Sequence, residues 1–237
     1  MGVDEVSAQR EYFARVAQNY DGRTAEEFEH FFALSVLLGT LEFFNIESVL
    51  DVGSGTGRAL RFLKSRRPDL KFRGIEPVDA LRRVGHENGL SPEELTSGDA
   101  TQLPFKDGEF DLVTEFGVLH HIRKPEQAVG EMLRVARKAV FISDSNNFGQ
   151  GSKTGRGLKQ VLNALGLWRI ADLIKTRGRG YTESEGDGIA YSYSVFNNYE
   201  QIASVCDSVH VINTSASAST VNPYRSATHV ALLGLKR

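Results

Sequence analysis

The chain has 237 residues, a length that suits one large α/β domain and is short for two independent enzyme domains. Its apolar fraction of 41% and charged fraction of 24% are those of a globular protein with a sizeable core. A formal net charge of -2 provides no general attraction to nucleic acid or to an anionic membrane. The single cysteine excludes an intramolecular disulfide and a cysteine-rich metal site.

Residues 1–45 are expected to form an N-terminal helical cap, because their aromatic and aliphatic side chains recur at the spacing of amphipathic helices. The beginning of the chain lacks a basic stretch followed by an apolar one, and no apolar run reaches membrane-spanning length. We therefore expect a cytoplasmic protein without a membrane segment. The apolar residues of the cap include Tyr12, Phe13, Val16, Tyr20, Phe28, Phe31 and Phe32.

Residues 46–145 alternate between short apolar runs and helical patterns. This alternation predicts a parallel sheet covered by helices on both faces. The same region is expected to bind a cofactor, because its strand ends carry glycines and acidic residues. The apolar runs are 49–52, 71–76, 110–115 and 139–143.

Residues 146–195 have a different composition, rich in Gly, Ser, Asn and Arg, with one helical stretch between 161 and 173. Such a composition is typical of a lid inserted over a binding crevice. Regular patterns return in residues 196–237, where we expect a helix, a strand at 209–212 and a last strand at 229–235. The end of the chain is therefore predicted to join the sheet.

A glycine-rich turn follows the first apolar run, in the order Gly53-Ser54-Gly55-Thr56-Gly57, and leads into a helical pattern. Glycines in such a turn permit positive φ angles and let a ligand lie against bare backbone. The third glycine comes one residue earlier than in the G-x-G-x-x-G dinucleotide pattern, and the lysine of a phosphate-binding loop is missing. The spacing therefore disfavours both of those ligand classes.

Two acidic residues follow the next strands. Glu76 ends the second strand about 20 residues after the turn, where a carboxylate can accept hydrogen bonds from both ribose hydroxyls of an adenosine. Asp99, expected at the end of the third strand, can accept a hydrogen bond from an exocyclic amino group such as that of adenine. Together they predict a cofactor that contains adenosine.

Five ordered segments of the chain resemble the motifs of class I S-adenosylmethionine-dependent methyltransferases. The resemblance covers residues 48–143 and implies a Rossmann-like fold with a seven-stranded, mostly parallel sheet. It also implies S-adenosyl-L-methionine as cofactor and S-adenosyl-L-homocysteine as product. One departure is that Arg137-Lys138 runs directly into Ala139, where the family usually has a Lys/Arg-Pro-Gly-Gly turn. The segments are 49–57, 74–77, 98–105, 110–113 and 118–122.

The resemblance implies a role for each of these segments. The glycine turn would hold the methionine part of the cofactor, with the acidic residue before the turn beside its amino group. The acidic residue after the second strand would bind the ribose, the third motif would contact adenine, and an N-terminal tyrosine would close over the cofactor. The cofactor-binding residues implied are Asp51, Gly53, Ser54, Gly55, Gly57, Glu76, Pro77, Asp99, Ala100, Thr101, Glu115, Phe116, Tyr20 and Tyr12.

His120 and His121 follow the fourth strand, beside the expected place of methyl transfer. A neutral imidazole there can accept a proton from an attacking hydroxyl, so both are catalytic candidates. Adjacent helical residues point about 100° apart, so we expect only one of them to face the ligand. His121 is favoured because it matches the more regular histidine of the family. The alternative is a histidine that caps or packs the start of the following helix.

A metal-dependent variant would use oxygen ligands after the fourth and fifth strands. Glu115, Asp144, Asn146 and Asn147 are the residues of the right type there. The same side chains also suit turns and substrate contacts. No metal is assigned to the site on this basis.

The expected function is direct methyl transfer to a hydroxyl or an amine of a small-molecule acceptor. Basic residues between 156 and 179 would suit an anionic acceptor, although such charges are more often solvated. Tyr191, Tyr193 and Phe196 are candidates for an aromatic pocket wall. The basic residues are Arg156, Lys159, Arg169, Lys175, Arg177 and Arg179.

Three rival functions are weighed against this expectation. A cofactor-binding regulatory module would share the motifs but not the chemistry. A NAD-dependent oxidoreductase is disfavoured by the glycine spacing and by the lack of a Tyr-x-x-x-Lys pair. A nucleic-acid methyltransferase is disfavoured by the charge and by the sequence 115–118, which lacks an Asn/Asp-Pro-Pro-Tyr motif. The oligomeric state is left open.

Overall fold

The computed structural model describes residues 4–24, 28–216 and 222–236; residues 1–3 and 25–27 of the expected cap lie outside the described part. Four short 3₁₀ helices, at Ala17–Asn19, Leu119–His121, Asn147–Gly149 and Val195–Asn198, connect the main elements. The α-helices are α1 (Glu5–Val16), α2 (Tyr20–Thr24), α3 (Phe28–Leu41), α4 (Arg58–Arg66), α5 (Asp79–Glu87), α6 (Pro125–Val135), α7 (Lys153–Ala164), α8 (Trp168–Lys175), α9 (Tyr199–Ala203) and α10 (Pro223–Ser226). The strands are β1 (Ser48–Val52), β2 (Lys71–Ile75), β3 (Leu95–Thr96), β4 (Phe110–Phe116), β5 (Ala136–Ser145), β6 (Tyr181–Ser184), β7 (Gly188–Tyr191), β8 (Ser208–Asn213) and β9 (His229–Leu235).

Seven strands form one sheet in the order β3-β2-β1-β4-β5-β9-β8. The pairs from β3 to β5 are parallel, whereas β9 runs antiparallel to both β5 and β8. The chain extends the sheet to one side of β1 through β2 and β3, and then to the other side through β4 and β5. The carboxyl ends of β1 and β4 therefore form a topological switch point, where ligands bind in open α/β sheets.

Strand β5 shows how the sheet separates two apolar layers. Val140 and Ile142 pack with the buried face of α6. Ala139 and Phe141 point to the opposite face and pack with α3 and α4. This alternation is the two-residue period of a strand that is buried on both faces. The predicted Rossmann-like fold, with a seven-stranded, mostly parallel sheet, is confirmed.

The segment between β5 and α9 contains α7, α8 and the antiparallel hairpin β6–β7. Sequence periodicity predicted one helical stretch here, and the structure corrects this to two helices. The break falls at Gly166, whose φ of +70° ends the first helix, with its amide donating a hydrogen bond to the carbonyl of Asn163. The hairpin was not predicted, because its strands are only four residues long and the first of them is mostly polar and exposed.

The chain has no Lys/Arg-Pro-Gly-Gly turn before β5, and the structure shows a direct connection there: α6 ends at Val135 and β5 begins at Ala136. Arg137 and Lys138 both form ion pairs with the buried carboxylate of Asp111 on β4. The basic pair therefore fixes the start of β5 at the end of the sheet that is far from the switch point. Within the described residues, no helix has both the length and the apolar character needed to cross a membrane.

Candidate active site at the switch point

The turn between β1 and α4 is a tight loop. Gly53, Gly55 and Gly57 all have positive φ, at +69°, +56° and +74°. A Cβ at Gly53 would lie 2.5 Å from a methyl group of Val118, so the backbone there packs directly against the loop that follows β4. The glycines thus meet the conformational demand on which the sequence argument depended.

Glu76 links this turn to the end of β2. Its Oε2 accepts a hydrogen bond of 3.0 Å from the amide of Gly55, and its Oε1 accepts one of 2.8 Å from the amide of Val78. The side chain is 5% exposed, and burial raises its pKa to about 7 although both amides oppose the rise. The carboxylate is therefore held by backbone donors at the point where β1 and β2 meet.

A cavity of about 580 Å³ lies over the glycine turn; we call it the glycine-turn cavity. Apolar side chains of Ile75, Val78 and Leu81 form part of its wall, which suits a planar ring. Asp99 lies at one end with its Oδ1 accepting from both the amide and the hydroxyl of Thr101. Nine of the predicted cofactor residues line this cavity: Gly53, Gly55, Glu76, Pro77, Asp99, Ala100, Thr101, Phe116 and Tyr20.

The other predicted cofactor residues do not line this cavity. Ser54 and Gly57 belong to the turn itself. Asp51 is buried below it, where its Oδ1 accepts from the hydroxyl of Thr114, and burial raises its pKa to about 6. Glu115 is fully buried behind Phe116, and burial beside Asp144 raises its pKa strongly.

Tyr12 requires a correction. Its ring is buried and its hydroxyl donates a hydrogen bond of 2.9 Å to the carbonyl of Glu185, so it anchors the β6–β7 hairpin. Of the two tyrosines predicted to close over the cofactor, only Tyr20 lines the cavity. The physical reason is that α1 packs against β7, which no local sequence pattern reveals.

A second cavity of about 490 Å³ lies between the switch point and the insertion; we call it the histidine cavity. Most of its lining side chains are polar, and they include both His120 and His121. The two cavities share wall residues, among them Tyr20, Phe116, Gly117, His121 and Tyr191. A ligand in one cavity would therefore lie beside a ligand in the other.

The two histidine side chains converge on one acidic residue. Nε2 of His120 lies 3.4 Å from Oδ2 of Asp187, and Nε2 of His121 lies 3.3 Å from Oδ1 of the same carboxylate. Their ring centroids are 4.0 Å apart. Both side chains thus turn towards the hairpin from the short helix Leu119–His121 and line the histidine cavity, whereas only His121 also lines the glycine-turn cavity.

The Nδ1 atom of each histidine contacts an oxygen atom on the side of the ring away from Asp187. Nδ1 of His120 lies 2.7 Å from Oδ1 of Asp144, whose other oxygen accepts a hydrogen bond of 2.8 Å from the amide of Leu119. Nδ1 of His121 lies 2.7 Å from the carbonyl of Ile189. The carbonyl can only accept, so this shorter contact favours the hydrogen on Nδ1 and the lone pair on Nε2 of the neutral ring, whereas the amide nitrogen of Gln9, 3.0 Å from the same Nδ1, favours the opposite tautomer.

The charge of His120 is set by its two acidic neighbours. Burial alone would lower the pKa of His120, but the carboxylates of Asp144 and Asp187 hold it well above its usual range. Asp144 is fully buried, which raises its pKa, yet the charge of His120 keeps that pKa below its ordinary value. His120 is therefore a cation held between two carboxylates, which leaves His121 as the better placed proton acceptor.

The oxygen ligands considered for a metal-dependent variant have separate partners. The amide of Asn146 donates to the carbonyls of Tyr224 and Ala227, while its oxygen accepts from Ser194. The amide of Asn147 donates to Ser192. Asp144 holds the histidine loop through its contacts with Leu119 and His120. These side chains therefore do not form a common oxygen cage.

Several residues at this site were missed by sequence reasoning. Asp187 lies in a turn with no hydrophobic period, and the only available signal was an acidic residue between two glycines. Gln9 of α1 bridges to the hairpin, since its side chain accepts from the amide of Ile189 and lies 3.0 Å from Nδ1 of His121. Arg58, the first residue of α4, lines the histidine cavity. Tyr191 and Tyr193 line it as predicted, whereas Phe196 packs against the core.

The fold and the two adjoining cavities define a doubly wound α/β protein with a ligand site at its switch point. Residues 50–142 match the family model described as "Methyltransferase domain". This match agrees with the predicted resemblance to methyltransferases over residues 48–143.

Two known proteins show how far the sequence likeness extends. A demethylmenaquinone methyltransferase from Thermotoga maritima is 32% identical over 94 residues, which are 40% of this chain and 41% of the relative. A norajmaline N-methyltransferase from Rauvolfia serpentina is 34% identical over 97 residues, 38% of this chain and 32% of the relative. The chain therefore matches well under half the length of either relative.

The structural likeness extends further along the chain. The solved structure of a magnesium protoporphyrin IX methyltransferase from Synechocystis PCC 6803, with S-adenosylhomocysteine bound, superposes with a TM-score of 0.62. It covers 99% of this chain and 100% of that chain, at 13% identity. At this identity the comparison shows a shared fold.

Proposed function

We propose that this chain transfers a methyl group from S-adenosylmethionine to a hydroxyl group of a small polar molecule. The observation that supports this most directly is the pair of adjoining cavities with His121 in their common wall. In this assignment the glycine-turn cavity holds the cofactor and the histidine cavity holds the acceptor.

The residues of the glycine-turn cavity fit such a cofactor. Glu76 can accept hydrogen bonds from ribose hydroxyls while it keeps its own backbone donors, because a carboxylate offers about four acceptor positions. Asp99 lies at the same cavity and is half exposed. The apolar wall between them suits adenine, and the bare backbone of the turn suits the methionine part.

When bound, S-adenosylmethionine supplies a methyl group that is already electrophilic because it is attached to a sulfonium. The chain then has to align the acceptor with the S–CH₃ bond and to exclude water. His121 Nε2, with Nδ1 held by the carbonyl of Ile189, is placed to take the proton of an attacking hydroxyl. The O–CH₃ bond forms as the S–CH₃ bond breaks, and the proton remains on the imidazole until it passes to solvent.

The histidine cavity also supports an inference about the acceptor. Its volume of about 490 Å³ suits a small molecule, and its mostly polar wall suits one with several hydrogen-bonding groups. Its wall carries two cationic side chains, Arg58 and Lys175, and two acidic ones, Asp172 and Asp187, and we propose an acceptor whose carboxylate or phosphate lies beside the two cations. An amine is the second candidate for the methylated group, because the Rauvolfia relative is named an N-methyltransferase.

The experiment that tests the cofactor is isothermal titration with S-adenosylhomocysteine and, separately, with NADH. We expect binding of the first alone. Glu76→Ala should weaken it about 100-fold, since two hydrogen bonds to a charged group at about 1.5 kcal/mol each are lost. Glu87→Ala, at an exposed position of α5, is the matched control. No binding of S-adenosylhomocysteine by the unaltered chain would overturn the proposal.

Methyl transfer itself requires a panel of acceptors that differ in charge and in the reactive group. Transfer to hydroxyl compounds that carry an anionic group is expected. Cofactor binding without transfer to any acceptor would instead favour a regulatory module that has the site but not the reaction.

A further inference from the structure

We propose that His120, His121 and Asp187 bind a divalent transition-metal ion, with zinc as the reference ion. One side-chain atom from each residue, two Nε2 atoms and one carboxylate oxygen, lies within 4.8 Å of the others. Imidazole and carboxylate are ligands of zinc and of related divalent ions. Binding of an ion here does not depend on the proposed methyl transfer.

The distances between the ligand atoms support a metal ion at this position. The separations of 3.3 and 3.4 Å between the Nε2 atoms and Asp187 exceed those of a good charge-assisted hydrogen bond. Ligand atoms placed about 2.0–2.1 Å from a tetrahedral ion are about 3.3–3.4 Å apart. Each histidine therefore lies at that spacing from one oxygen of Asp187, and the three ligand atoms lie within 4.8 Å of one another.

The hydrogen-bonding partners of the two histidine rings also support a metal ion. The Nδ1 atoms face the carbonyl of Ile189 and the carboxylate of Asp144, both at 2.7 Å and both acceptors. Both Nε2 atoms face the oxygens of Asp187, and His120, which is a cation without metal, would give up its Nε2 proton when an ion binds. Acceptors that face one another require a positive group between them, which is either protons or one cation.

The partners behind the rings match those of known metal-binding histidines. Such histidines donate their other ring N–H to a carboxylate or a backbone carbonyl, which fixes the ring and raises its basicity. Asp144 and the carbonyl of Ile189 provide one of each. The cluster supplies three protein ligands, so positions facing the histidine cavity remain for water or an acceptor.

A bound ion would change how the acceptor is activated. Both Nε2 atoms would be coordinated and unable to take a proton, so the ion would instead lower the pKa of an acceptor hydroxyl bound to it. The hydroxyl proton would leave to solvent, and the oxygen would then form the bond to the methyl group.

The test is titration of the full chain, stripped of metal with chelator, with Co²⁺ followed by visible absorption and with Zn²⁺ followed by calorimetry. We expect one ion per chain and the absorption bands of a coordinated Co²⁺ ion. Asp187→Ala and His121→Ala should each lower the affinity at least 100-fold, and Asp144→Asn about 10- to 100-fold. His210→Ala, at the exposed position on β8, should leave it unchanged.

Two controls keep the outcome decisive. Asp187 lies at the tip of the hairpin with about half of its side chain exposed, so its removal is not expected to unfold the chain, and a thermal melt checks this. Binding of S-adenosylhomocysteine is measured on the same samples. Absence of Co²⁺ binding, or equal Co²⁺ binding by Asp187→Ala, would overturn the metal site. If S-adenosylhomocysteine still binds to the same samples, either result leaves the proposed function intact.

An independent observation concerns the outer surface of α7 and α8. Exposed apolar residues recur at spacings of three and four along α7 and the residue that follows it, and again from the residue before α8 through α8, so each helix presents one apolar face to solvent. Residues 153–180 also contain seven lysines and arginines against one acidic residue, whereas the whole chain has a net charge of -2. The exposed apolar residues are Leu158, Val161, Leu165, Leu167, Ile170, Leu173 and Ile174.

We infer that this surface docks on an anionic membrane. Apolar helix faces flanked by cations are what interfacial helices present to anionic lipids. A second copy of this chain on the same surface would instead place two strongly positive segments against each other. The net charge of the whole chain does not indicate membrane docking, because acidic residues elsewhere cancel the cations of residues 153–180. Lys175 also lines the histidine cavity, so docking would bring that cavity close to the lipid surface.

The test is sedimentation with vesicles of phosphatidylcholine alone and with about a third of phosphatidylglycerol. We expect binding to the anionic vesicles only, weakened by salt. The double variant Leu165→Asn with Ile174→Asn should reduce it at least tenfold, while Phe43→Asn, at an exposed apolar residue after α3, should not. Equal binding by the double variant, or a dimer in sedimentation velocity that the double variant abolishes, would overturn the inference.

Discussion

The two cavities at the switch point are built in different ways. Strand ends and the loops that directly follow them form the floor of the glycine-turn cavity, where backbone amides hold the carboxylate of Glu76, while α1 and part of the hairpin complete its wall. The histidine cavity is closed by α8 and by the β6–β7 hairpin, so its wall joins residues far apart in the chain. The first kind of site can be recognised from local motifs, whereas the second depends on how an insertion packs.

The largest expected effect is a loss of turnover on a change in the histidine cavity. His121→Ala should lower kcat by about 10²- to 10⁴-fold, the usual contribution of a group that activates the nucleophile. The affinity for S-adenosylhomocysteine should change little, because the groups that hold Glu76 and the turn are intact. Steady-state kinetics on an acceptor found in the panel, together with calorimetry, measure both quantities.

His210→Ala is the control for that experiment. Full turnover by His121→Ala would show that this imidazole does not take the proton. A large loss of cofactor affinity would show instead that the two cavities do not act separately.

The next effect is on the pH dependence of stability and concerns the glycine-turn cavity alone. Burial raises the pKa of Glu76 from 4.5 to about 7, so the cofactor-free folded state binds this proton more tightly than the unfolded state does. The resulting stabilisation is fully present below about pH 4.5 and is lost as pH rises through about 7. It amounts to at most about 3 kcal/mol.

Glu76→Gln removes this titration while keeping the size of the side chain. Between pH 5.5 and pH 8 the unaltered chain should therefore lose several degrees more in melting temperature than Glu76→Gln, at about 2–4 °C per kcal/mol for a domain of this size. Asp51, whose pKa is raised in the same direction, contributes equally to both proteins. Identical pH profiles would mean that burial does not destabilise the Glu76 carboxylate.

The smallest effect concerns the glycine turn. Gly57 has a φ of +74°, and a Cβ there would overlap the Cδ1 of Leu90. Gly89 has a φ of +95°, but a Cβ added there would meet no group of the described residues within 4 Å. Both Gly→Ala changes place alanine in the left-handed region, at a cost of about 1–2 kcal/mol. Gly57→Ala should cost about 1 kcal/mol more, because Leu90 has to move.

Urea unfolding of the two alanine variants measures that difference. An equal loss of stability would show that Leu90 adapts without cost, and hence that the turn is less tightly packed against its neighbours than the glycine-turn cavity requires.

The sequence by itself determined the cofactor half of this protein. The turn Gly53 to Gly57, Glu76 and Asp99 each follow a strand directly, so a pattern a few residues long fixes both the element and the place of the side chain. The carboxyl ends of parallel strands then meet at one edge, which brings these residues together without further information.

Only the tertiary structure decided the acceptor half. Asp187 meets the histidines because the hairpin folds back over β4, and the carbonyl of Ile189 reaches His121 across 68 residues of chain. Tyr12 and Tyr20 look alike in the sequence, yet packing of α1 against β7 places one under the hairpin and the other at the cavity. Such contacts depend on the packing of whole elements, and the side chains that make them carry no local pattern.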